Sequence, residues 1–252
     1  MSRGRFAFAR LRGQATIGTM QAVILAAGRG TRMEELTTAI PKPMLTVNGK
    51  TLLEHKLDAL PEKITEVILI VGHLAHVIKT RYGGVYQGRS LTHIEQTELD
   101  GTAGALWSAK DILKDRFLVL NGDDIFAAAD LEKCVQESDS WKLLVQEMDE
   151  MHRAGNVELD ENANITRIVE GDLGTQKGLA STNVFTVDAR LFSQPLIPKQ
   201  KGSLEYGLPQ TVIAAAKDLG VRLEPVFTTD WIQINAPADL TKAAQILNKG
   251  GR

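Results

Sequence analysis

Three continuous apolar runs, Ala22–Leu25, Val67–Val71 and Phe117–Leu120, constrain this chain more than any other feature. A strand that is apolar at every position is buried on both faces, which happens when helices cross over a parallel sheet. The segments between the runs suit that role. Leu52–Leu60 carries apolar residues at helical spacing and stops at Pro61, and Ala75–Tyr82 is closed by Gly83-Gly84. Strand, helix and strand at short intervals predict right-handed crossovers. Leu91–Glu95 and Trp141–Gln146 read as further strands. After them the texture changes to shorter strands, Gly155–Val157, Ile165–Glu170, Ser181–Val187 and Leu223–Phe227, split by Asn-, Asp- and Gly-rich turns. The expectation is one α/β domain over residues 20–252, with a mostly parallel twisted sheet and helices on both faces.

The first run ends abruptly in Ala26-Ala27-Gly28, and the chain then reads Arg29-Gly30-Thr31-Arg32-Met33. Gly28 and Gly30 remove Cβ atoms where backbone amides must approach an anion, and successive amides in such a turn form an anion-binding concavity. Thr31 adds a hydroxyl donor. Arg32 adds a guanidinium that grips phosphate oxygens two at a time. Lys42, between Pro41 and Pro43, brings a second cation on a stiffened chain. A dinucleotide-binding turn is disfavoured because Met33 stands where its third glycine belongs, and a Walker loop because Gly-Lys-Ser/Thr is missing. These residues read as a phosphate cradle with two fixed positive charges.

Gly28-x-Gly30-Thr31-Arg32-Met33, Leu36-Thr37 and Pro41-Lys42-Pro43-Met44-Leu45, taken together, resemble the signature of the sugar-1-phosphate nucleotidylyltransferases. That family has a Rossmann-like fold. Its members join a nucleoside triphosphate to a sugar 1-phosphate with Mg2+ and release pyrophosphate. The resemblance implies that Arg32 grips the triphosphate and that Lys42 neutralises phosphate oxygens at the reacting centre. Ala26, Ala27, Gly28, Gly30 and Thr31 would line the nucleotide. In one departure, Glu34-Glu35 replaces the Arg-Pro that the family commonly carries there.

Gln96 follows the third strand, and ligands of parallel sheets bind outside the carboxyl ends of the strands. Gly101-Thr102-Ala103-Gly104-Ala105 then opens a helix whose small residues permit close approach of a flat base. The resemblance makes Gln96 the base reader, with Gly101 and Thr102 beside it. A primary amide offers a donor and an acceptor, which suits the imide edge of uracil or thymine. UTP or dTTP is therefore the expected triphosphate.

Past the fourth strand stands Asn121-Gly122-Asp123-Asp124. A carboxylate pair there suits Mg2+, which takes one or two carboxylates plus substrate phosphates. The resemblance assigns the metal to Asp123, and Asp124 reads as a charge at the start of a helix over Ile125–Glu137. Trp231-Ile232-Gln233-Ile234-Asn235-Ala236-Pro237-Ala238-Asp239-Leu240 resembles the family's closing motif, with Gln233 where the second metal carboxylate belongs. Pro237 opens a last helix to about Asn248. On the sugar side the resemblance points to Gly155 and Glu170. The family's Glu-Lys-Pro lysine is replaced by Gly171, so Lys177 is assigned in its stead, and Ser181-Thr182-Asn183 stands for its Asn-x-Gly.

A chain of 252 residues, 43% hydrophobic, is long enough to bury a sizeable core. Its net charge of −2 argues against a nucleic-acid surface, and no apolar run approaches a bilayer's thickness. The single cysteine, Cys134, reads as a packed helix residue in a reducing cytosol. His73 and His76 lie at strand-to-helix turns without a third ligand, which favours packing over metal binding. Residues 1–19 carry Arg3, Arg5, Arg10 and Arg12 without an acidic residue and read as a disordered leader. The expected partners are the triphosphate and the sugar 1-phosphate, with no nucleic acid or membrane and a cytoplasmic setting. The residues leave homo-oligomer formation open. They also leave open a phosphocholine-type cytidylyltransferase, which shares the opening motifs, a metal-dependent glycosyltransferase, and a non-catalytic binding protein.

Overall fold

The computed structural model describes residues 19–151, 155–169 and 176–249. All of the predicted leader except Thr19, together with Glu170 and Gly171, lies outside the described residues. The elements in chain order begin with β1 (Met20–Ala26), the hairpin β2 (Thr46–Val47) and β3 (Lys50–Thr51), α1 (Leu52–Ala59), β4 (Ile64–Val71) and α2 (Ala75–Tyr82). Next come β5 (Val85–Tyr86), β6 (Arg89–Glu95), α3 (Thr102–Trp107), β7 (Arg116–Asn121), α4 (Ala128–Cys134) and β8 (Trp141–Met148). The last are β9 (Asn156–Leu159), β10 (Ile165–Val169), β11 (Gly178–Asp188), α5 (Leu208–Leu219), β12 (Leu223–Thr228) and α6 (Pro237–Lys249).

The main sheet runs β10-β9-β11-β7-β1-β4-β6-β5, with β8 on β11 and β12 on β8. Its centre is parallel, since β1 pairs in parallel with both β4 and β7, and β4 with β6. β11 runs antiparallel to β7 and β8 and carries the shorter strands β9 and β10 into the same sheet. The predicted change of texture after Gln146 is thus a change from parallel to mixed pairing within one sheet.

Alternate residues of β1 face opposite layers. Ala22 and Ile24 pack with Leu53 and Leu57 of α1, Ile78 of α2 and Leu131 of α4. Val23 and Leu25 pack with Leu106 of α3 and Val212 of α5. Helices therefore cover both faces. The α1 start is fixed by a reciprocal cap, in which Thr51 Oγ1 accepts from the Glu54 amide and Glu54 Oε2 accepts from the Thr51 amide. Buried Cys134 sits on α4 as expected, and desolvation pushes its thiol up to about 12. No helix among the described residues is long and apolar enough to cross a membrane.

Two expectations need correction. The helix predicted from Ile125 begins at Ala128, because Ile125 forms a two-way backbone bridge with Ile232. Asp124 is accordingly no helix-start charge but a buried side chain held by that closing segment. The sequence reading also carries no element between Val187 and Leu223, where α5 lies. Its signals are conventional: Pro209 in the first turn, Leu208, Val212, Ala215 and Ala216 buried on one face, and Gly220 in the left-handed region at the end.

Candidate active site

The turn after β1 crosses the carboxyl ends of the parallel strands and continues into a 3-10 helix over Thr31–Thr37. Gly30 opens it at φ 64°, and a Cβ there would lie 3.0 Å from Lys42 Cβ. Glycine is needed both for the backbone region and for this close approach. Met33, the residue that excludes a dinucleotide fingerprint, is fully buried in a small third cluster with Leu45, Leu52 and Ile234. Burying such a side chain contributes roughly 1.5–3 kcal/mol, enough to pin the turn to α1 and the closing segment. Arg32 reaches across to that segment, donating from Nη1 to Asn235 Oδ1 at 2.9 Å.

A cavity of about 680 Å3 opens over this turn. Its wall gathers Ala26, Ala27, Gly28, Gly30, Thr31, Arg32 and Lys42 from the first 44 residues, and Gln96, Gly101 and Thr102 from the end of β6 and the start of α3. Asp123, Gln233, Gly155 and Ser181 line it as well. Residues far apart in sequence, assigned from separate motifs, share one concavity.

Gln96 is buried, and both hydrogens of its amide are used. Nε2 donates to Asp100 Oδ1 at 2.8 Å and to the Gly101 carbonyl at 3.2 Å. Two acceptors fix the orientation of the amide, because a flipped group would set lone pairs against lone pairs. What Gln96 offers a ligand is its carbonyl oxygen.

At the carboxylate end, Lys42 is buried and donates to Asp123 Oδ2 at 2.7 Å and to the Ile234 carbonyl. Asp124 also lines the cavity, but its carboxylate is committed to the closing segment. It accepts from Trp231 Nε1 and from the Ile234 amide, both at 3.0 Å. Burial, and then the neighbouring Asp123, push Asp124 above the usual carboxylate range. Behind the pair stands Lys56 of α1, fully buried, donating to the Asp124 carbonyl and 5.8 Å from the Phe126 ring centroid. Burial lowers its pKa, and Asp123 and Asp124 oppose that shift.

The family model described as nucleotidyl transferase matches residues 21–249, nearly all of the chain that carries this cavity. The chain belongs to the nucleotidyl transferase family. It is 30% identical over 237 residues to the UTP–glucose-1-phosphate uridylyltransferase AglF of Haloferax volcanii, covering 91% of this chain and 97% of that one. It is also 30% identical over 221 residues to the D-glycero-alpha-D-manno-heptose 1-phosphate guanylyltransferase of Campylobacter jejuni, covering 87% and 96%. A solved structure, a putative glucose-1-phosphate thymidylyltransferase from Bacillus anthracis, superposes with a TM-score of 0.76 at 26% identity, covering 90% of this chain and 95% of the other. Against the bifunctional GlmU proteins of Methanococcus aeolicus and Methanocaldococcus jannaschii, 31% identical, the chain spans about half the length, 53% and 54%.

The residues expected beside the sugar are brought together less completely. Gly155 and Ser181 meet, joined by a hydrogen bond from the Ser181 amide to the Gly155 carbonyl at 2.8 Å. Asn183, at φ 59° in an irregular stretch of β11, also lines the wall. Lys177 stands apart. Its exposed ammonium pairs with Asp149 at 2.9 Å, so the place assigned to it beside the sugar is corrected. Glu170 lies outside the described residues.

Sequence reasoning missed three features of the site. Lys56 occupies a position on the apolar face of α1, a signal that a charge there must be buried. Asp124 ties the closing segment down. The loop before α5 contributes Lys199 and Tyr206 to the wall, and the first turn of α5 adds Gln210. That loop is seated by Tyr206, whose amide donates to the Asp100 carbonyl at 2.6 Å. The Gly101 backbone, at φ 102°, leaves no room there for a Cβ, which would fall 2.3 Å from the Tyr206 carbonyl oxygen. Thr102, expected beside the nucleotide, spends its hydroxyl accepting from the Leu208 amide at 2.9 Å. In this way α3 and α5 are joined at the rim.

The described residues contain no group of three or more His, Cys, Asp or Glu side chains able to hold a metal ion. Asp123 supplies one carboxylate and Gln233 a neutral carbonyl. A hard cation such as Mg2+ is commonly bound through one or two carboxylates plus substrate phosphates. The donor set therefore fits that ion as a site shared with a triphosphate.

Proposed function

We propose that this protein transfers a nucleotidyl group from a nucleoside triphosphate, UTP or dTTP, to a sugar 1-phosphate. The observation that carries the reading is the convergence of Arg32, Lys42, Asp123 and Gln96 on one cavity at the carboxyl edge of the parallel strands. A phosphate oxygen of the sugar 1-phosphate forms a bond to the α-phosphorus, and the bond from that phosphorus to the β-phosphate oxygen breaks, releasing pyrophosphate. The attacking oxygen is already ionised, so no general base or protein nucleophile is needed. Catalysis is positioning and charge stabilisation. Lys42 and Arg32 hold the phosphate oxygens, and the turn amides beside Gly28 and Gly30 complete the cradle. A divalent cation bound at Asp123 would spread the charge developing on the phosphates.

The base assignment rests on Gln96. Its carbonyl accepts from a ring N–H, which uracil and thymine carry at N3 and cytosine lacks. Guanine also has a ring N–H, so GTP is the discriminating competitor, and the heptose guanylyltransferase among the relatives keeps it in view. A carbonyl facing a ring lone pair in a closed site loses roughly 1–3 kcal/mol, on the order of 10- to 100-fold in kcat/KM. Rates of pyrophosphate release with UTP, dTTP, CTP, ATP and GTP are expected to rank UTP or dTTP first. A CTP preference would favour the phosphocholine-type reading, and a purine preference would overturn the base assignment.

A further inference from the structure

Lys56 is a costly residue for α1 to bury. Its neighbours on the same helix face, Leu52, Leu53 and Leu57, are apolar, and its side chain has no exposure at all. Placing an ammonium in such a site costs several kcal/mol unless opposite charge and hydrogen bonds offset it. The offset comes from the active-site end of β7, since Nζ donates to the Asp124 carbonyl and is favoured by the charges of Asp123 and Asp124. Buried ion pairs are poor sources of stability, and an apolar replacement of similar volume is often neutral or stabilising. A packing role alone leaves the charge unexplained.

The surrounding arrangement gives it a use. Two lysines, Lys42 and Lys56, stand against two acidic side chains, Asp123 and Asp124, and burial moves Asp124 and Lys56 together toward their uncharged forms, so the cluster carries little net charge in either state. Of the carboxylates, Asp123 is engaged by Lys42 at 2.7 Å, and Asp124 is turned to Trp231 and Ile234. Gln233, also on the cavity wall, adds no charge. A free divalent cation entering this site meets no net attraction. A triphosphate brings its own negative charge and draws Lys42 toward its oxygens, which uncovers Asp123.

We propose that Lys56 is a positioning residue, the buried counter-charge that keeps the Asp123–Asp124 pair from holding a free divalent cation, so that metal enters together with triphosphate. This rests on the nucleotidyl transfer reading for the identity of the anion and on the structure for the charge balance.

The test is direct binding, with Mn2+ as the probe, by calorimetry or electron paramagnetic resonance without nucleotide. Wild-type protein is expected to bind free Mn2+ weakly, and markedly more tightly once UTP is present. Lys56→Met, checked for folding by thermal melting, is expected to gain free-Mn2+ affinity by about tenfold or more, the scale of removing one unit charge from a partly dry site. Its affinity for UTP in chelator is expected to fall at the same time. A purely structural role would leave both affinities where they were, and a folded Lys56→Met with unchanged affinities overturns the proposal. So does wild-type protein that binds Mn2+ as tightly without UTP as with it, a result that needs no variant. Absence of pyrophosphate release with any triphosphate would count against the reaction and leave these binding results readable on their own.

Discussion

Replacing Lys42 with alanine is expected to lower turnover about 100- to 1000-fold, the scale for removing one preorganised charge or donor from a developing anion. Lys42 is the buried member of the cradle. It joins the signature turn to Asp123 and to the Ile234 carbonyl of the closing segment, so its loss would remove the proposed phosphate ligand and leave a half-buried carboxylate without its partner. Arg32→Ala is expected to fall by a similar factor by a different route, since the exposed guanidinium ties the turn to Asn235 and, on the proposed reading, grips phosphate. Pyrophosphate release, measured beside thermal melting to verify the fold, checks both. Near-wild-type rates in a folded Lys42→Ala would remove the phosphate cradle from the account.

Asp123→Asn is expected to abolish turnover, because the Asp123 carboxylate is held, among the described residues, only by Lys42, a phosphate-seeking cation, whereas Asp124 is fixed by Trp231 and Ile234. Gln233→Asp is expected to act in the opposite direction. A second carboxylate beside Asp123 raises the attraction for a divalent ion, so half-maximal activity should be reached at lower Mg2+ than in wild type. Titrating Mg2+ at saturating UTP separates these cases. An unchanged Mg2+ dependence in Gln233→Asp would mean that the position does not face the ion, and nucleotide binding without turnover at high Mg2+ in wild type would favour a non-catalytic homologue.

The fold, and the gathering of Gly28, Gly30, Arg32 and Lys42 on one cavity wall, were legible in the sequence because both are written locally. Continuous apolar runs such as Val67–Val71 have one economical environment, the middle of a parallel sheet, and the glycine turn after Ala27 has few uses at the end of such a strand. Lys56 and Asp124 were not legible, because what makes their burial tolerable is distant. The carbonyl that receives Lys56 is 68 positions away, and the amide that holds Asp124 is 110. The helix expected from Ile125 failed for the same reason, since a bridge to Ile232 outweighs local helix preference. Lys177 was assigned by proximity along the chain to a missing lysine, and an exposed lysine beside Asp149 takes the nearer partner. Gln96 was placed correctly at the strand end, and its tie to Asp100 reduced a two-way amide to a single acceptor.

Phosphorus NMR of one reaction mixture tests the central claim most directly. Wild-type protein, UTP, Mg2+ and a panel of sugar 1-phosphates are expected to yield pyrophosphate and a new nucleotide-sugar diphosphate in equal amounts, with the sugar-phosphate signal consumed in step and Lys42→Ala nearly silent. Release of inorganic phosphate in place of pyrophosphate, or consumption of UTP that is indifferent to every sugar 1-phosphate offered, would contradict nucleotidyl transfer to a sugar 1-phosphate.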